Sequence, residues 1–148
     1  MAQLKEFFTS DHRACDNAYA ALESVAQGGN ADQVAECWRR FKGAMNCHLA
    51  MEEEVLFPEF DAAIGMHGAG PTAVMKMEHD QMRGVMSQME QCVEDGEYED
   101  MLDHGDTLLM LIQQHNVKEE GILYSMAQQH LSHKWDEIAA RLHEYSID

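Results

Sequence analysis

Hydrophobic residues recur every three to four positions over four long stretches of this chain, which is the spacing of amphipathic helices. No stretch shows the alternation with a period of two that marks a strand, and Ala, Leu, Met, Glu and Gln, which favour helices, are plentiful. We therefore predict an all-α chain. The four long helices are expected at residues 3–27, 31–63, 71–95 and 98–129.

Glycine and proline mark the ends of these stretches. The first ends at Gly28-Gly29-Asn30, the glycine-rich segment 64–70 follows the second, and Gly96 follows the third. Pro71 suits the first turn of the third helix, where a missing N–H costs nothing. Pro58 lies inside the second helix and is expected to kink or locally unwind its last turn.

The remaining residues, 131–146, form a shorter amphipathic stretch. Its apolar positions are Leu131, Trp135, Ile138, Leu142 and Tyr145. We predict a fifth helix packed against the four-helix bundle of residues 3–129, and a partner-binding segment is the alternative. A chain of 148 residues is long enough for one core, so residues 1–148 are expected to form a single domain.

The apolar stripe of the first helix is predicted at Leu4, Phe8, Cys15, Tyr19, Leu22 and Ala26, and that of the fourth at Met101, Leu108, Leu111 or Ile112, and Ile122. Each stripe also contains polar residues at about the same height along the helix. These residues are His12 in the first helix, His48 and Glu52 in the second, His79 in the third, and His115 and Glu119 in the fourth. A histidine and a glutamate four residues apart lie on the same face of a helix, one turn from each other. An imidazole nitrogen and a carboxylate oxygen can then point at the same volume.

An internal repeat strengthens this signal. His115 follows His48 by 67 residues (115 − 48 = 67). The same offset relates His12 to His79, Glu52 to Glu119, the segment 52–57 (EEEVLF) to 119–124 (EEGILY), and Asp11 to Glu78. A third His-x-x-x-Glu pair, His133–Glu137, has no counterpart and shows how easily a single pair arises.

The breaks between helices place the four histidines at one height. The midpoint between each histidine and the next falls at a predicted break, near residues 30, 64 and 97. If consecutive helices run antiparallel, four histidines and two glutamates form one layer inside the bundle.

Buried carboxylates are costly unless they are paired or bound to metal. A dinuclear metal centre would satisfy this layer, with two histidines on each metal, the two glutamates bridging, and oxo or hydroxo bridges from solvent. Mixed imidazole and carboxylate ligation suits iron, with manganese and zinc as alternatives. A hydrogen-bonded layer without metal is the other interpretation.

Composition limits the classes of partner and the cellular location that we expect for this chain. A net charge of −17 repels phosphate backbones and anionic membranes, so we expect neither nucleic acid nor membrane as a partner. The N-terminus lacks the layout of a signal peptide, and no apolar run approaches a membrane span. The four cysteines form no Cys-x-x-Cys, which favours reduced thiols and a cytoplasmic location, with Cys15 as a small core residue.

The order His12, His48-x-x-x-Glu52, His79, His115-x-x-x-Glu119 resembles the hemerythrin-like proteins, or His-His-Glu cation-binding domains. The resemblance covers residues 3–130. It implies an up-down-up-down four-helix bundle that holds a non-haem di-iron centre. By this resemblance, His12 and His48 bind one iron, His79 and His115 bind the other, and Glu52 and Glu119 bridge them.

Two positions depart from the oxygen-carrying members of that family. Met75 stands where those carriers have a further iron-binding histidine, and they place an aspartate five residues after the last histidine, where this chain has Glu120. We favour Glu119 as the bridge because the repeat selects it. The missing histidine leaves an open position, which suits chemistry at the centre or a ligand such as nitric oxide.

We therefore expect a di-iron protein that binds dioxygen or nitric oxide in sensing, storage or a stress response, as a monomer or weak homo-oligomer. The alternatives are an oxidoreductase acting on oxygen, peroxide or nitric oxide, and a protein that handles iron or repairs iron centres. In an oxidoreductase, Tyr19 or Tyr124 could be redox-active neighbours, although a core role suits both. We expect His67 in an exposed loop, His104 lining the core, the histidines after residue 129 at the surface, and the methionines as core filling.

Overall fold

The computed structural model describes residues 3–66 and 70–145, and every element in those ranges is helical. The predicted all-α class is confirmed. The helices are α1 (Leu4–Gly28), α2 (Ala31–Met51), α3 (Phe57–Ile64), α4 (Pro71–Asp95), α5 (Tyr98–Lys118), α6 (Tyr124–Leu131) and α7 (Trp135–Leu142). None of the helices in the described ranges is long and apolar enough to cross a membrane.

Two π-helical turns join helices that the sequence predicted as continuous. Glu52–Leu56 connects α2 to α3, and Glu119–Leu123 connects α5 to α6. At the end of each turn the backbone N–H donates to a carbonyl five residues earlier, from Phe57 to Glu52 and from Tyr124 to Glu119. Each turn therefore contains one more residue than a turn of α-helix, and each begins at a predicted site glutamate.

Short turns at the predicted breaks fold the chain into two helix pairs. Gly29 has φ 71° and Gly96 has φ 72°, a left-handed conformation that favours glycine. Asn30 begins α2 by accepting a hydrogen bond of 3.0 Å from the N–H of Gln33. The breaks at residues 28–30 and at Gly96 are thus confirmed, and α1 packs along α2 while α4 packs along α5.

Two apolar clusters fill the interior. One contains Tyr19, Leu22, Phe41, Met89 and Leu108 among others. The other contains Phe8, Leu56, Phe60, Leu131 and Ile138 among others. Along each helix the predicted histidine lies between residues of one cluster and residues of the other, so the polar layer is enclosed by apolar side chains on both sides.

The apolar stripe of the first helix is confirmed, and that of the fourth is wrong at one position. The residues of α1 predicted to face inward are all buried: Leu4, Phe8, His12, Cys15, Tyr19, Leu22 and Ala26. Ile122 was predicted inward but is 62% exposed, whereas Leu123 and Tyr124 are buried. The extra residue of the π turn rotates the positions that follow, which a regular spacing cannot anticipate.

The effect of Pro58 is also more specific than predicted. The α-helix is interrupted by the π turn just before Pro58, and Pro58 itself lies in the first turn of α3. The equivalent turn at Glu119–Leu123 has no proline, so a π turn of this kind does not require one.

The C-terminal stretch differs from the predicted helix over residues 131–146. Leu131 ends α6, a 3₁₀ turn follows at Ser132–Lys134, and α7 begins only at Trp135. Leu131, Trp135, Ile138 and Leu142 are buried as predicted, whereas Tyr145 is only partly buried. The ring of Trp135 lies 5.9 Å from that of Phe7 in α1. The α7 helix therefore covers the apolar cluster that contains Phe8 and Ile138.

Candidate metal centre

The structure brings the six predicted residues into one buried layer. None of these six residues is more than 4% exposed: His12, His48, Glu52, His79, His115 and Glu119. The rings of His12 and His48 are 4.6 Å apart, and those of His79 and His115 are 4.8 Å apart. Each glutamate is the first residue of a π turn and lies one helical turn after its histidine.

The layer divides into two groups that share both glutamates. One ligand atom from each member lies within 4.8 Å of the others in His12, His48, Glu52 and Glu119, and likewise in Glu52, His79, His115 and Glu119. Within the layer, Nε2 of His79 is 3.0 Å from Oε1 of Glu52, and Nε2 of His115 is 3.1 Å from Oε1 of Glu119. Imidazole nitrogens and carboxylate oxygens therefore converge on one small volume.

A second set of carboxylates surrounds the histidines. Each Nδ1 atom faces one of them: His12 with Glu120 at 2.8 Å, His48 with Asp11 at 2.7 Å, His79 with Glu53 at 2.6 Å, and His115 with Glu78 at 2.8 Å. A carboxylate accepts hydrogen bonds, so Nδ1 carries the hydrogen and Nε2 presents its lone pair to the interior.

These outer carboxylates extend the internal repeat from six residues to ten. Asp11 and Glu78 obey its offset, and so do Glu53 and Glu120. In the sequence, Asp11 and Glu78 were identified only as residues flanking the histidines, and Glu120 was considered only as an alternative bridge. Their shared offset marks all four as members of the repeat, but it does not show that they contact the histidines.

Basic side chains hold three of the outer carboxylates. Arg83 donates to Glu53 at 2.8 Å, Lys118 donates to Glu78, and a guanidinium nitrogen of Arg13 lies 3.9 Å from Glu120. Burial alone would raise the pKa of Glu53, but hydrogen bonds from Arg83 and His79 bring it below its ordinary value. The acceptor of the His79 hydrogen bond is therefore kept ionised.

Hydrogen-bond acceptors outnumber donors inside the layer. The hydroxyl of Tyr124 lies 2.6 Å from Oε2 of Glu52, 2.9 Å from Oε1 of Glu119 and 3.0 Å from Nε2 of His12, yet it has one hydrogen to give. Within this layer, three buried acceptor atoms have no hydrogen-bond partner: Nε2 of His48, Oε1 of Glu52 and Oε2 of Glu119. A buried polar atom without a partner costs about 1–3 kcal/mol. Bound cations would satisfy these atoms, so the residues fit a metal site.

Electrostatics inside the layer favour binding of positive charge. Burial lowers the pKa of His48, but the charge of Glu52 and the hydrogen bond to Asp11 outweigh it and hold that pKa well above its ordinary value. Burial raises the pKa of Glu52, but the charge of His48 and hydrogen bonds within the layer bring it well below. Protons and metal cations would compete for the same nitrogen atoms.

Other sequence candidates lie outside the two groups. Cys15 lines a cavity of about 20 Å³ beside His12, His48 and His115, and burial raises its thiol pKa to about 12. Met75 is buried in the apolar cluster that contains Phe8. The Tyr19 hydroxyl is buried without a hydrogen-bond partner and its ring packs on Phe41.

The remaining histidines are peripheral. His104 is half-buried beside an outer groove lined by Cys92 and acidic residues, and His130, His133 and His143 are exposed, as predicted. His67 lies outside the described residues.

The described helices form a bundle, and its core contains two overlapping histidine–glutamate groups. These features are those of a metal-binding helical protein. The family model for the hemerythrin HHE cation binding domain matches residues 4–127, and the chain therefore belongs to this family. The resemblance recognised in the sequence is confirmed. Searches of curated proteins and of solved structures gave no match.

Proposed function

We propose that this protein binds two iron ions in an oxo- or hydroxo-bridged pair. His12 and His48 would hold one ion, His79 and His115 the other, and Glu52 and Glu119 would bridge them. The observation that carries this proposal is that both buried glutamates belong to both ligand groups. Imidazole with carboxylate ligation suits iron, and manganese and zinc are the alternatives.

The proposal includes the arrangement of the helices. It takes residues 1–148 as one domain and α1, α2–α3, α4 and α5–α6 as an up-down-up-down four-helix bundle, with α7 as a shorter fifth helix. The short turns at Gly29 and Gly96 and the meeting of four histidines at one level support this topology.

We propose a diatomic molecule, dioxygen or nitric oxide, as the ligand, in sensing, storage or a stress response. When bound, the iron pair would supply electron exchange and an open coordination position. The protein would bind the iron pair through the four Nε2 atoms, and the Nδ1 hydrogens would stay on the imidazoles and be donated to the outer carboxylates. The apolar clusters would exclude water. The cavity of about 20 Å³ beside His12, His48 and His115 is of the size of one water molecule, which supports a very small ligand.

One observation favours an oxidoreductase as the second candidate. The hydroxyl of Tyr124 lies inside the layer, in contact with both glutamates. A phenol in this position could supply a proton or an electron to a reaction of oxygen, peroxide or nitric oxide.

In either case the net charge of −17 argues against nucleic acid as a partner, and the four free cysteines agree with the proposed cytoplasmic location.

The first experiment is metal analysis of freshly purified protein, with absorption spectra before and after anaerobic reduction and oxygen exposure. Two irons per chain and near-ultraviolet bands that bleach on reduction are expected. Return of the bands through a transient oxygen adduct would favour ligand binding, and direct return would favour redox chemistry. Zinc, or no metal even after incubation with ferrous iron, would overturn the proposal.

Replacement of the bridging residues tests their assignment. Glu52→Ala and Glu119→Ala should each reduce metal content sharply, because each removes a ligand from both groups. Glu137→Ala is the matched control, since Glu137 also follows a histidine by four residues but lies on α7, outside the layer. Full loading of both bridge variants would contradict the assignment.

A further inference from the structure

The two halves of the repeat place an aromatic residue at the same point, five residues after each glutamate. The residue is Phe57 in the first half and Tyr124 in the second, and both are buried. The ring of Phe57 lies 5.6 Å from that of His79, and the ring of Tyr124 lies 5.5 Å from that of His12. The π turns return both rings to the interior, so each of them lies beside one histidine of a pair.

The two halves differ at this point by a single hydroxyl. The Tyr124 oxygen contacts Glu52, Glu119 and Nε2 of His12, whereas Phe57 has no polar atom to offer beside His79. The repeat is therefore nearly symmetric in its metal-binding residues and asymmetric in its hydrogen-bond donors.

The shortest of the three contacts shows where the Tyr124 hydrogen goes. The distance of 2.6 Å to Oε2 of Glu52 is that of a hydroxyl donating to a charged carboxylate. This hydrogen bond leaves Oε1 of Glu52, which has no hydrogen-bond partner, for a cation. The rotation of the Glu52 carboxylate is thereby fixed.

We propose that Tyr124 is a positioning residue that makes the two metal positions unequal, by donating a hydrogen bond to Glu52 beside the His12–His48 position. This inference rests on the proposed binding of two metal ions. A hydrogen bond of this kind to a metal ligand commonly changes metal affinity by about 10–100-fold. Both positions share Glu52, but the Tyr124 oxygen lies 3.0 Å from Nε2 of His12, whereas only the Phe57 ring lies beside His79.

The test compares Tyr124→Phe with two matched variants. Tyr19→Phe removes a buried hydroxyl that has no hydrogen-bond partner, and Phe57→Tyr adds a hydroxyl at the repeat-related position. Stepwise anaerobic titration with ferrous iron measures the two affinities, and Mössbauer spectra of the ⁵⁷Fe-loaded proteins measure how different the two sites are. Circular dichroism and melting of the metal-free variants check their folding.

In the wild type and Tyr19→Phe we expect two ions with distinct spectra. In Tyr124→Phe, one affinity should fall by about tenfold or more while the other stays within about twofold, and one of the two spectra should move. Phe57→Tyr should change the affinity of the other ion, so a Tyr124→Phe chain that fails to fold does not end the test.

Several outcomes would overturn the inference. These are unchanged affinities and spectra in both Tyr124→Phe and Phe57→Tyr, or loss of both ions in a folded Tyr124→Phe chain. A visible phenolate-to-iron charge-transfer band that only Tyr124→Phe lacks would place the oxygen on the metal and overturn the hydrogen-bond assignment. A wild-type chain that binds no metal would instead refute the proposed function.

Discussion

At the scale of single residues, the outer carboxylates decide what the inner layer can bind. Without an acceptor at Nδ1, a neutral imidazole can carry its hydrogen on either nitrogen, and the tautomer with the hydrogen on Nε2 cannot bind a metal through that atom. With Asp11, Glu53, Glu78 and Glu120 in place, the four Nε2 lone pairs point inward together. The outer residues thus prepare the site before any cation arrives.

Replacement of Glu53 by alanine should therefore weaken metal binding without removing a ligand. The His79 Nδ1 hydrogen and the Arg83 guanidinium would lose their acceptor, and we expect metal affinity to fall by about 10–100-fold. Glu54→Ala is the control, because this neighbour is exposed and accepts a hydrogen bond from the hydroxyl of Tyr145. Calorimetric titration measures both. An equal loss in the two variants would show a general charge effect and contradict the role of Glu53.

The sequence predicted the inner residues better than the outer ones for a physical reason. A histidine or glutamate inside an apolar stripe is conspicuous because burial of a polar group needs an explanation. Glu53 and Glu120 lie at the edges of the stripes, in a chain with 27 acidic residues, where spacing does not distinguish a histidine partner from a solvated side chain. Only the orientation of the imidazole rings, which sequence does not give, shows their contacts.

At the scale of helices, the π turns explain why the interior pattern changes after each glutamate. One added residue rotates the following positions by about 100° relative to an uninterrupted α-helix. Ile122 therefore turns to solvent, and Tyr124 turns to His12. The positions of the long helices were predictable because they follow apolar spacing and glycine breaks. The rotation was not predictable, because Gly121 and Pro58 indicate that the helix is weakened there but not that a π turn forms.

Alanine should have opposite effects on stability at two glycines, Gly105 in α5 and Gly121 in the π turn between α5 and α6. A Cβ at Gly105 would lie 2.0 Å from the hydroxyl of Tyr19, so Gly105→Ala should destabilise the protein by roughly 1–3 kcal/mol. A Cβ at Gly121 meets nothing within 4 Å, and its φ is not positive. Gly121→Ala should therefore stabilise by about 0.4–1 kcal/mol through the unfolded chain.

Urea unfolding of the metal-free proteins measures both effects. Equal changes in the two variants would mean that the α1–α5 contact at Tyr19 is not as close as the structure shows. A loss of stability in Gly121→Ala would mean that the π turn needs glycine.

At the scale of the whole molecule, carboxylates are present both in the polar layer and, in large excess, at the protein surface. Two glutamates are fully buried between apolar clusters, inside a chain with a net charge of −17. The repulsion within such a chain disfavours the compact state, and a cation in the layer offsets part of it. Metal binding should consequently be coupled to the stability of the entire bundle.

Ferrous iron should raise the melting temperature of the metal-free protein by a large amount. A ligand present at about 1,000 times its dissociation constant adds about 4.1 kcal/mol for one site, which corresponds to roughly 8–16 °C for a domain of this size. The shift should shrink as the pH falls, because protonation of Nε2 blocks the metal and the pKa of His48 lies well above its ordinary value. Differential scanning calorimetry under anaerobic conditions measures the shift.

The control must separate specific binding from screening of the negative surface. Magnesium at the same ionic strength screens surface charge equally, but it prefers oxygen ligands and keeps its waters, so a layer with four imidazoles should bind it poorly. A chain carrying both Glu52→Ala and Glu119→Ala keeps most of the surface charge and loses the shared ligands. We expect magnesium to produce only a small shift in either chain and iron to produce only a small shift in the double variant. Equal stabilisation by iron and magnesium, or an undiminished iron effect in the double variant, would place the coupling at the surface and not in the core.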